Sequence, residues 1–387
     1  MVERNCKALC FVRSVDEMGL AVIYPGGATG FIKIDQISDQ VDSQLKEGKN
    51  FELSKLYTPG DSLLTSVSTK RKKNKFHLSA RPEHVNQHLL VDQLKPGQIL
   101  QGSFISKEDT GWTIDIGKEA SRGFISLENL ENGLIDNIAI GKSTYFRLSQ
   151  ILLDGRQIIL DIPSGEPLKK FANFDHLLPG TMAPFKIKKK NKTGLIGSVY
   201  GFQATMHVTQ NQNPLENQET EDSEISAKII YVDYEKKRVI LANSDGYMTG
   251  KCEAPKDRDG EKVTGEIVYQ SSQGLLLKLR NEEILGWVPR HNITEQKLQD
   301  TISHYEVGKE VNGRIIDYLI GEGLHHVTLR ESVVEAEFFR YDSFFASQMV
   351  QAKVITGTVK LFLVLFNAKS SIPIEILSIF EVPIYLI

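Results

Sequence analysis

The chain has 387 residues, with 46 lysines and arginines against 49 aspartates and glutamates, and a formal net charge of −3. This balance argues against a histone-like protein that coats nucleic acid through its net charge, although local clusters can still bind a polyanion. The three cysteines form neither a disulfide framework nor a zinc-site spacing. We therefore expect reduced thiols in a cytosolic or nuclear protein.

One sequence motif occurs four times along the chain. A glycine opens an apolar strand, and about a dozen residues later a glycine-aromatic pair opens a second strand; the third copy is degraded and has Ala204-Thr205 in place of the pair. The opening glycines are Gly19, Gly111, Gly194 and Gly274, so the period is 92, then 83, then 80 residues. Solenoid repeats of roughly 20–50 residues are shorter than this. The period predicts a string of similar small domains.

In chain order, we predict four repeats, a partial fifth and a tail. Their boundaries are 1–82, 92–163, 175–243 (degenerate), 256–331, 332–360 (a spacer and the start of a fifth repeat) and 361–387 (apolar, of unclear status). Short linkers are expected at 82–91, 163–175 and 244–259. A domain of this size buries a limited core, so each repeat should be marginally stable alone.

The second repeat shows the strand order most clearly. Strands are predicted at 99–105, 112–116, 124–127, 143–153 and 157–162, with Asp154-Gly155 as a hairpin turn between the last two. An irregular segment separates the third strand from the fourth. Five short strands in this order predict an all-β chain of tandem five-stranded OB-fold barrels joined by short linkers.

The apolar tail contains no glycine, whereas the preceding repeats are rich in it. Lys369, Glu375, Glu381 and two prolines interrupt it, which argues against a transmembrane helix of about 20 apolar residues, and no membrane partner is expected. Residues 351–359 resemble another first strand, so we expect the sequence to be part of a longer protein.

Several short segments resemble the S1 RNA-binding domain. "GFIKID", "GFISLE" and "TMHVTQ" are similar to its third strand, and "KFHLSA" and "RVILAN" to its last strand. The segment 328–359 resembles the spacer between repeats in the large eukaryotic pre-ribosomal RNA processing factors of the Rrp-five or programmed-cell-death-eleven type. The resemblance implies S1-type barrels in the nucleus and nucleolus. It also implies single-stranded or structured RNA, especially pre-rRNA, and pre-ribosomal assembly proteins as partners.

OB folds bind single strands on the face of strands two and three, flanked by the loops between strands one and two and strands four and five. Two basic runs, 70–75 and 186–192, are predicted on these loops, where they can contact a phosphate backbone. Strand alternation places Phe31 and Lys33 on one face. The predicted RNA-binding residues are Phe31, Lys33, Lys70, Arg71, Lys72, Lys73, Lys75, Phe124, Lys186, Lys188, Lys189, Lys190, Lys192, His207 and Arg238.

Two observations weaken the prediction of base stacking. The S1 family places aromatic residues beside its first conserved glycine, and none occurs at those positions here. Trp112 and Trp287 are interpreted as residues that cover the rims of their own barrels. Binding is therefore expected to depend mainly on charge, although a lysine run can also be an ordinary solvated loop.

No catalytic motif is predicted. Residues 140–144 (IGKST) imitate the end of a phosphate-binding loop, but Asp136 stands where that motif needs its first glycine. His84 and His88 are four residues apart without a third metal ligand nearby. We expect no cofactor, no metal and no enzyme activity. Two other functions stay open: an mRNA-binding translation factor of the bacterial S1 type, and the RNA-binding arm of a nuclease complex.

Overall fold

The computed structural model describes most of the first 336 residues and short strands beyond them. The described residues are 6–48, 52–67, 77–131, 137–152, 155–163, 165–168, 170–171, 173–212, 222–252, 258–280, 285–295, 301–336, 349–351, 353–358, 361–365 and 371–373. The chain divides into two compact units. The first comprises Met1–Asp257, Tyr269–Gln273 and Tyr318–His325, and the second Arg258–Val268, Gly274–Asp317 and His326–Ile387.

Three five-stranded barrels make up most of the first unit. The first contains β1 (Cys6–Asp16), β2 (Gly19–Ile23), β3 (Thr29–Lys33), β4 (Ser62–Val67) and β5 (His77–Ser79). The second contains β6 (Ile99–Lys107), β7 (Gly111–Asp115), β8 (Arg122–Ser126), β9 (Ser143–Leu152) and β10 (Gln157–Asp161). The third contains β11 (Met182–Asn191), β12 (Gly194–Val199), β13 (Phe202–His207), β14 (Glu224–Asp233) and β15 (Arg238–Ala242).

Each barrel closes because its first strand pairs with its fourth and its fifth strand pairs with its third. Apolar side chains from the strands form the buried core of each barrel, and long runs of β1, β6 and β14 are buried on both faces. The first and third barrels also share a ten-stranded sheet, since β1 runs antiparallel to β14 with Lys7 opposite Val232. The second barrel is closed on itself.

The described residues of the first unit include four short α-helices: α1 (Asp39–Lys46), α2 (Pro82–Val85), α3 (Leu127–Glu131) and α4 (Asp245–Thr249). Ser38 caps α1, because its hydroxyl accepts a hydrogen bond from the Val41 amide at 3.2 Å. The same hydroxyl donates to the Gly141 carbonyl at 2.8 Å, which ties the first barrel to the second.

The segment between the first two barrels is packed into the structure. Val85 on α2 and Leu89 after it are buried in the same hydrophobic cluster as the core of the second barrel. The side-chain amide of Asn86 donates to the carbonyls of Gln101 and Ile116 at 2.7 and 2.9 Å. These buried contacts and hydrogen bonds hold α2 and the residues after it against the second barrel.

A fourth closed barrel has most of its residues in the second unit. Its strands are β16 (Lys262–Ser271), β17 (Gly274–Leu279), β18 (Leu285–Pro289), β19 (Glu310–Leu319) and β20 (Leu324–Thr328), followed by α5 (Glu331–Val334). Two further hairpin-like pairs involve β21 (Met349–Gln351), β22 (Lys353–Thr358), β23 (Leu361–Leu365) and β24 (Ser371–Pro373). β22 coincides with the predicted first strand of a fifth repeat.

The predicted all-β class and the five-stranded barrels are confirmed. In the second barrel the five strands agree with prediction to within two residues at each end. Among the described residues, no helix has both the length and the apolar character needed to cross a bilayer.

Candidate nucleic-acid interface

The pairing of the second and third strands explains the repeated motif of a glycine and a glycine-aromatic pair. A Cβ added to Gly111 would lie 2.5 Å from the Phe124 ring and 2.2 Å from the Ile125 carbonyl oxygen. Gly19 stands in the same relation to Phe31, whose ring would be 2.9 Å away. The aromatic ring thus covers the glycine of the neighbouring strand, so part of each ring is committed to its own barrel.

The predicted alternation on β3 is correct. Phe31 is half-buried, Ile32 is buried, and Lys33 is exposed. On β8, Phe124 is half-buried and projects from the outer face beside Thr113, its cross-strand neighbour. Trp112 packs edge-on against the buried Phe104 ring, with the centroids 5.3 Å apart, as expected for a side chain that covers the barrel.

The third barrel carries a dense group of exposed lysines. They were expected in a loop, and this placement is wrong for Lys186, Lys188, Lys189 and Lys190. These residues lie on β11, which extends to Asn191, and Lys192 alone lies in the turn that follows. All five side chains are exposed.

Local hydrogen bonds explain why β11 runs so far. The Asn191 side-chain oxygen accepts from the Thr193 and Gly194 amides at 2.9 and 3.1 Å, so the reversal needs only two residues. A bulge between Ile187 and Lys189 inserts one extra residue into the strand. Because of this bulge, Lys188, Lys189 and Lys190 are all exposed instead of alternating in and out.

Strand register places four polar side chains in one row across the outer surface of the third barrel. Lys186 on β11 pairs with Ser198, Ser198 with Gln203, and Gln203 with Arg238 on β15. Three strand spacings correspond to about 14 Å. The row has a cation at each end and hydrogen-bonding groups between, which suits a polyanion with polar bases. We call this row, with Lys188, Lys189 and Lys192, the lysine face.

Acidic neighbours offset part of this charge. Glu224 lies opposite Lys186 on β14, and Arg238 forms an ion pair with the buried carboxylate of Asp233 at 3.6 Å. In the described part of the chain, Lys188, Lys189 and Lys192 have no ion-pair partner. These three ammonium groups therefore supply the unpaired positive charge of the lysine face.

His207 has a structural position. Its Nδ1 lies 2.8 Å from the Thr209 hydroxyl, and the ring caps the short 3₁₀ helix Val208–Gln210. Burial lowers the pKa of the imidazole below its usual value, so the ring is neutral near pH 7. The ring therefore adds no charge to the lysine face.

The other predicted basic run is that of the first barrel. Lys70, Arg71, Lys72, Lys73 and Lys75 lie outside the described residues, between the ends of β4 and β5.

One arrangement that the sequence analysis missed imitates a catalytic triad. The Ser79 hydroxyl lies 2.7 Å from His84 Nδ1, and a Glu83 carboxylate oxygen lies 3.3 Å from His84 Nε2. Ser79 is only 1% exposed, however, so its hydroxyl is inaccessible to a substrate. Within the described ranges, no cluster of three or more histidines, cysteines or acidic residues could hold a metal ion.

The chain is similar to known proteins over most of its length. No protein-family model matches the chain. A mouse protein named "Protein RRP5 homolog" is 24% identical over 379 residues, covering 89% of this chain and 20% of the relative. The human protein of the same name is 23% identical over 92% of this chain and 21% of its own length.

A third relative, the Arabidopsis thaliana "rRNA biogenesis protein RRP5", is 22% identical over 98% of this chain and 21% of its own length. The similarity to the Rrp-five type of factor, predicted from the spacer and the strand motifs, is confirmed. The chain spans about one fifth of the length of these curated relatives. Among solved structures, GSP13 from Bacillus subtilis is similar at 24% identity over 23% of this chain and 67% of that chain, with a TM-score of 0.20.

Proposed function

We propose that the chain is a non-catalytic RNA-binding scaffold of tandem S1-type barrels that acts in pre-rRNA processing and ribosome biogenesis. Its partners are pre-rRNA and pre-ribosomal assembly proteins, and it works in the nucleolus. The names of the relatives support a role in rRNA biogenesis. The tandem barrels support an RNA-binding scaffold.

The lysine face of the third barrel carries the RNA-binding part of the proposal. Positive side chains beside the outer face of the second and third strands are the usual means by which OB folds track a phosphate backbone. Lys188, Lys189 and Lys192 have no competing carboxylate among the described residues. Their charge is therefore available to a polyanion, and release of counterions from the RNA drives the association.

Several modest sites on one chain strengthen each other. Once one barrel holds an RNA, a neighbouring barrel binds at an effective concentration near the millimolar range, and avidity rises by roughly 10²–10⁴. The third barrel supplies charge, and the first and second supply half-buried phenylalanines. A long, flexible RNA that crosses more than one barrel gains most from this arrangement.

The first test reverses the charge of the lysine face. The variant carries glutamate in place of Lys186, Lys188, Lys189 and Lys192. We expect it to bind single-stranded RNA at least tenfold more weakly. The slope of log affinity against log salt concentration should become shallower by roughly 0.7 for each phosphate that the variant no longer neutralises. Fluorescence anisotropy over a salt series measures both quantities.

The matched control changes the same four lysines to arginine, which keeps the charge and should keep both affinity and slope. Unchanged binding by the glutamate variant would remove the lysine face from the site. An assay of RNA cleavage by the purified chain addresses catalysis, and cleavage that survives purification would contradict the non-catalytic part of the proposal.

A further inference from the structure

A groove lies between the segment that leads into the second barrel and the segment that leads into the third. Its described lining residues fall between 92 and 98, ahead of β6, between 168 and 176, ahead of β11, and at Tyr200, between β12 and β13. All of them belong to the first unit. The groove has a volume of about 870 Å³, which is within the roughly 300–1,000 Å³ of sites that hold small organic ligands.

Contacts to both barrels hold one wall of the groove in place. The Leu168 amide donates to the Met182 carbonyl at 3.1 Å, and the Leu168 carbonyl accepts from the Tyr200 hydroxyl at 2.7 Å. A Cβ added to Gly97 would lie 2.5 Å from the Leu168 side chain, so Leu168 also packs closely on the entry to the second barrel. The half-buried rings of Phe171 and Tyr200 lie side by side, with centroids 5.7 Å apart. Aromatic rings on a fixed support are what stacking of a nucleic-acid base requires.

The lining also contains a buried histidine with unused hydrogen-bonding capacity. His176 is only 3% exposed. Its ring nitrogens make no hydrogen bond within the described ranges and are not sealed from solvent, so they face the groove that the ring lines. Burial lowers the pKa of the imidazole. The neutral ring therefore offers one donor and one acceptor to a ligand.

A buried glutamine adds a donor. Gln98 is 6% exposed, and its side-chain oxygen accepts from the Lys95 amide at 2.9 Å. This bond orients the side chain, whose NH₂ group has no acceptor elsewhere in the described part of the chain. An apolar ligand would leave Gln98 and His176 without partners, which is costly for groups this buried. The groove therefore favours a ligand with polar edges.

The rim of the groove carries a small positive charge. Lys95 and Lys170 are exposed and form no ion pair with any described residue, and Asp92 supplies the carboxylate of the described lining. A nucleotide combines a flat aromatic base, polar base edges and one phosphate charge. The aromatic wall, the buried polar side chains and the two lysines match these three parts.

We propose that this groove binds one nucleotide of a single-stranded RNA, with its base against Phe171 and its base edge hydrogen-bonded to His176 and Gln98. The phosphate of that nucleotide lies at the rim formed by Lys95 and Lys170. The inference rests on the proposed RNA binding and extends it, because contacts to a base edge carry sequence preference and phosphate contacts do not. The groove, and not the lysine face, thus determines which base the chain prefers.

Competition binding to the full chain tests the groove. Oligo-A, oligo-C and oligo-U of equal length compete with a fluorescent single-stranded RNA of mixed sequence. The wild-type chain should prefer one of the three by about three- to tenfold, as hydrogen bonds to one base edge predict. His176→Leu should lose most of this preference. It should also unfold at the wild-type temperature, because it removes no hydrogen bond between described residues.

A second variant tests stacking separately. Phe171→Ala should weaken the binding of all three oligonucleotides by about five- to tenfold through the loss of base stacking. Phe171→Tyr is the matched control, since it keeps the aromatic ring and should keep the affinity. Phe171→Ala that folds and binds RNA as tightly as the wild type would contradict a base at this position.

The glutamate variant of the lysine face separates this inference from the proposed function. It should weaken all three oligonucleotides alike and leave the base preference intact. Equal affinity of the wild type for the three, or a preference that His176→Leu leaves unchanged, would overturn the groove assignment and leave the groove to a protein partner, while RNA binding by the lysine face would stand. A wild-type chain that binds no RNA would contradict the proposed function and this inference together.

Discussion

The second and third barrels share one strand order but present different chemistry on the same outer surface. In the second barrel the central row is Ser106, Thr113, Phe124 and Ile159, with the phenylalanine as its largest side chain. The equivalent row in the third barrel begins with Lys189 and continues through Ile196, Thr205 and Ile240. Threonine thus replaces the aromatic residue, and lysine replaces the first serine.

Under the proposed RNA binding, this difference divides the contributions to affinity between the two barrels. Stacking on an aromatic ring is insensitive to salt, whereas phosphate contacts weaken steeply as salt rises. The second barrel is therefore expected to contribute little to the salt dependence and the third barrel most of it. The two barrels also differ in attachment, since the third shares a sheet with the first and the second closes on itself.

The largest predicted effect concerns the glycine beneath Phe124. Gly111→Ala should destabilise the chain by roughly 2–4 kcal/mol, because the new methyl group would lie 2.2 Å from the Ile125 carbonyl and 2.5 Å from the Phe124 ring. Urea unfolding measures the loss. Combining it with Phe124→Ala should restore only part of the stability, since the carbonyl contact persists. A loss below about 0.5 kcal/mol would show that the ring does not depend on the glycine.

The next prediction concerns Lys7, at the seam between the first and third barrels. Lys7 is 2% exposed, its ammonium lies 5.0 Å from the centre of the Tyr234 ring, and it has no hydrogen-bond acceptor in the described structure. Burial, with a smaller effect of Lys118, lowers its pKa from 10.5 to about 7. Lys7→Met should therefore stabilise the chain by roughly 1–3 kcal/mol near pH 6.

The pH dependence of this gain has a defined sign. Between about pH 7 and pH 10 the unfolded chain binds the Lys7 proton and the folded chain does not. Wild-type stability should therefore gain a rising contribution across that window, and the advantage of Lys7→Met should shrink as pH rises. Thermal unfolding from about pH 6 to pH 9 measures the difference. An advantage that grows with pH would contradict the account.

A smaller effect is expected from the aromatic residue of the second barrel. Phe124→Ala should weaken RNA binding by up to about 1 kcal/mol, at the low end of base stacking, because the ring is half-buried and covers Gly111. The salt slope should stay at the wild-type value. A decrease in slope as large as that of the lysine reversals would show that the second barrel also organises phosphate contacts.

The smallest effect is a gain in the third barrel. Thr205 occupies the position of Phe124, and Gly194 lies in the position of Gly111. Thr205→Phe should raise RNA affinity by less than about 1 kcal/mol without changing the salt slope. Thr205→Val is the control for removal of the hydroxyl. A weaker affinity for the phenylalanine variant would mean that the lysine face needs a flat surface at this position.

The sequence predicted the strands well because glycine turns and apolar alternation mark them locally. It misplaced Lys186 to Lys190 because a lysine-rich run looks like a loop. The turn signal was nevertheless present, since Asn191 and Gly194 are spaced like Asp16 and Gly19, where the Asp16 carboxylate accepts from the Gly19 amide at 2.9 Å.

Other features could not be read from the sequence. The burial of Lys7, Lys142 and Lys228 depends on packing between barrels that are far apart along the chain, and lysine is normally exposed. The role of Gly111 beneath Phe124 depends on strand register. Both the burial of these lysines and the contact between Gly111 and Phe124 depend on long-range packing, which the local sequence pattern does not encode.

The central claim is that RNA contacts the lysine face of the third barrel. Ultraviolet crosslinking of the chain to single-stranded RNA, followed by mass spectrometry of the crosslinked peptides, tests it most directly. We predict that the peptides containing residues 182–207 and 238–242 carry the principal crosslinks of the third barrel and that they diminish as salt rises. Strong crosslinks elsewhere in the chain, with none in these two segments, would contradict the account.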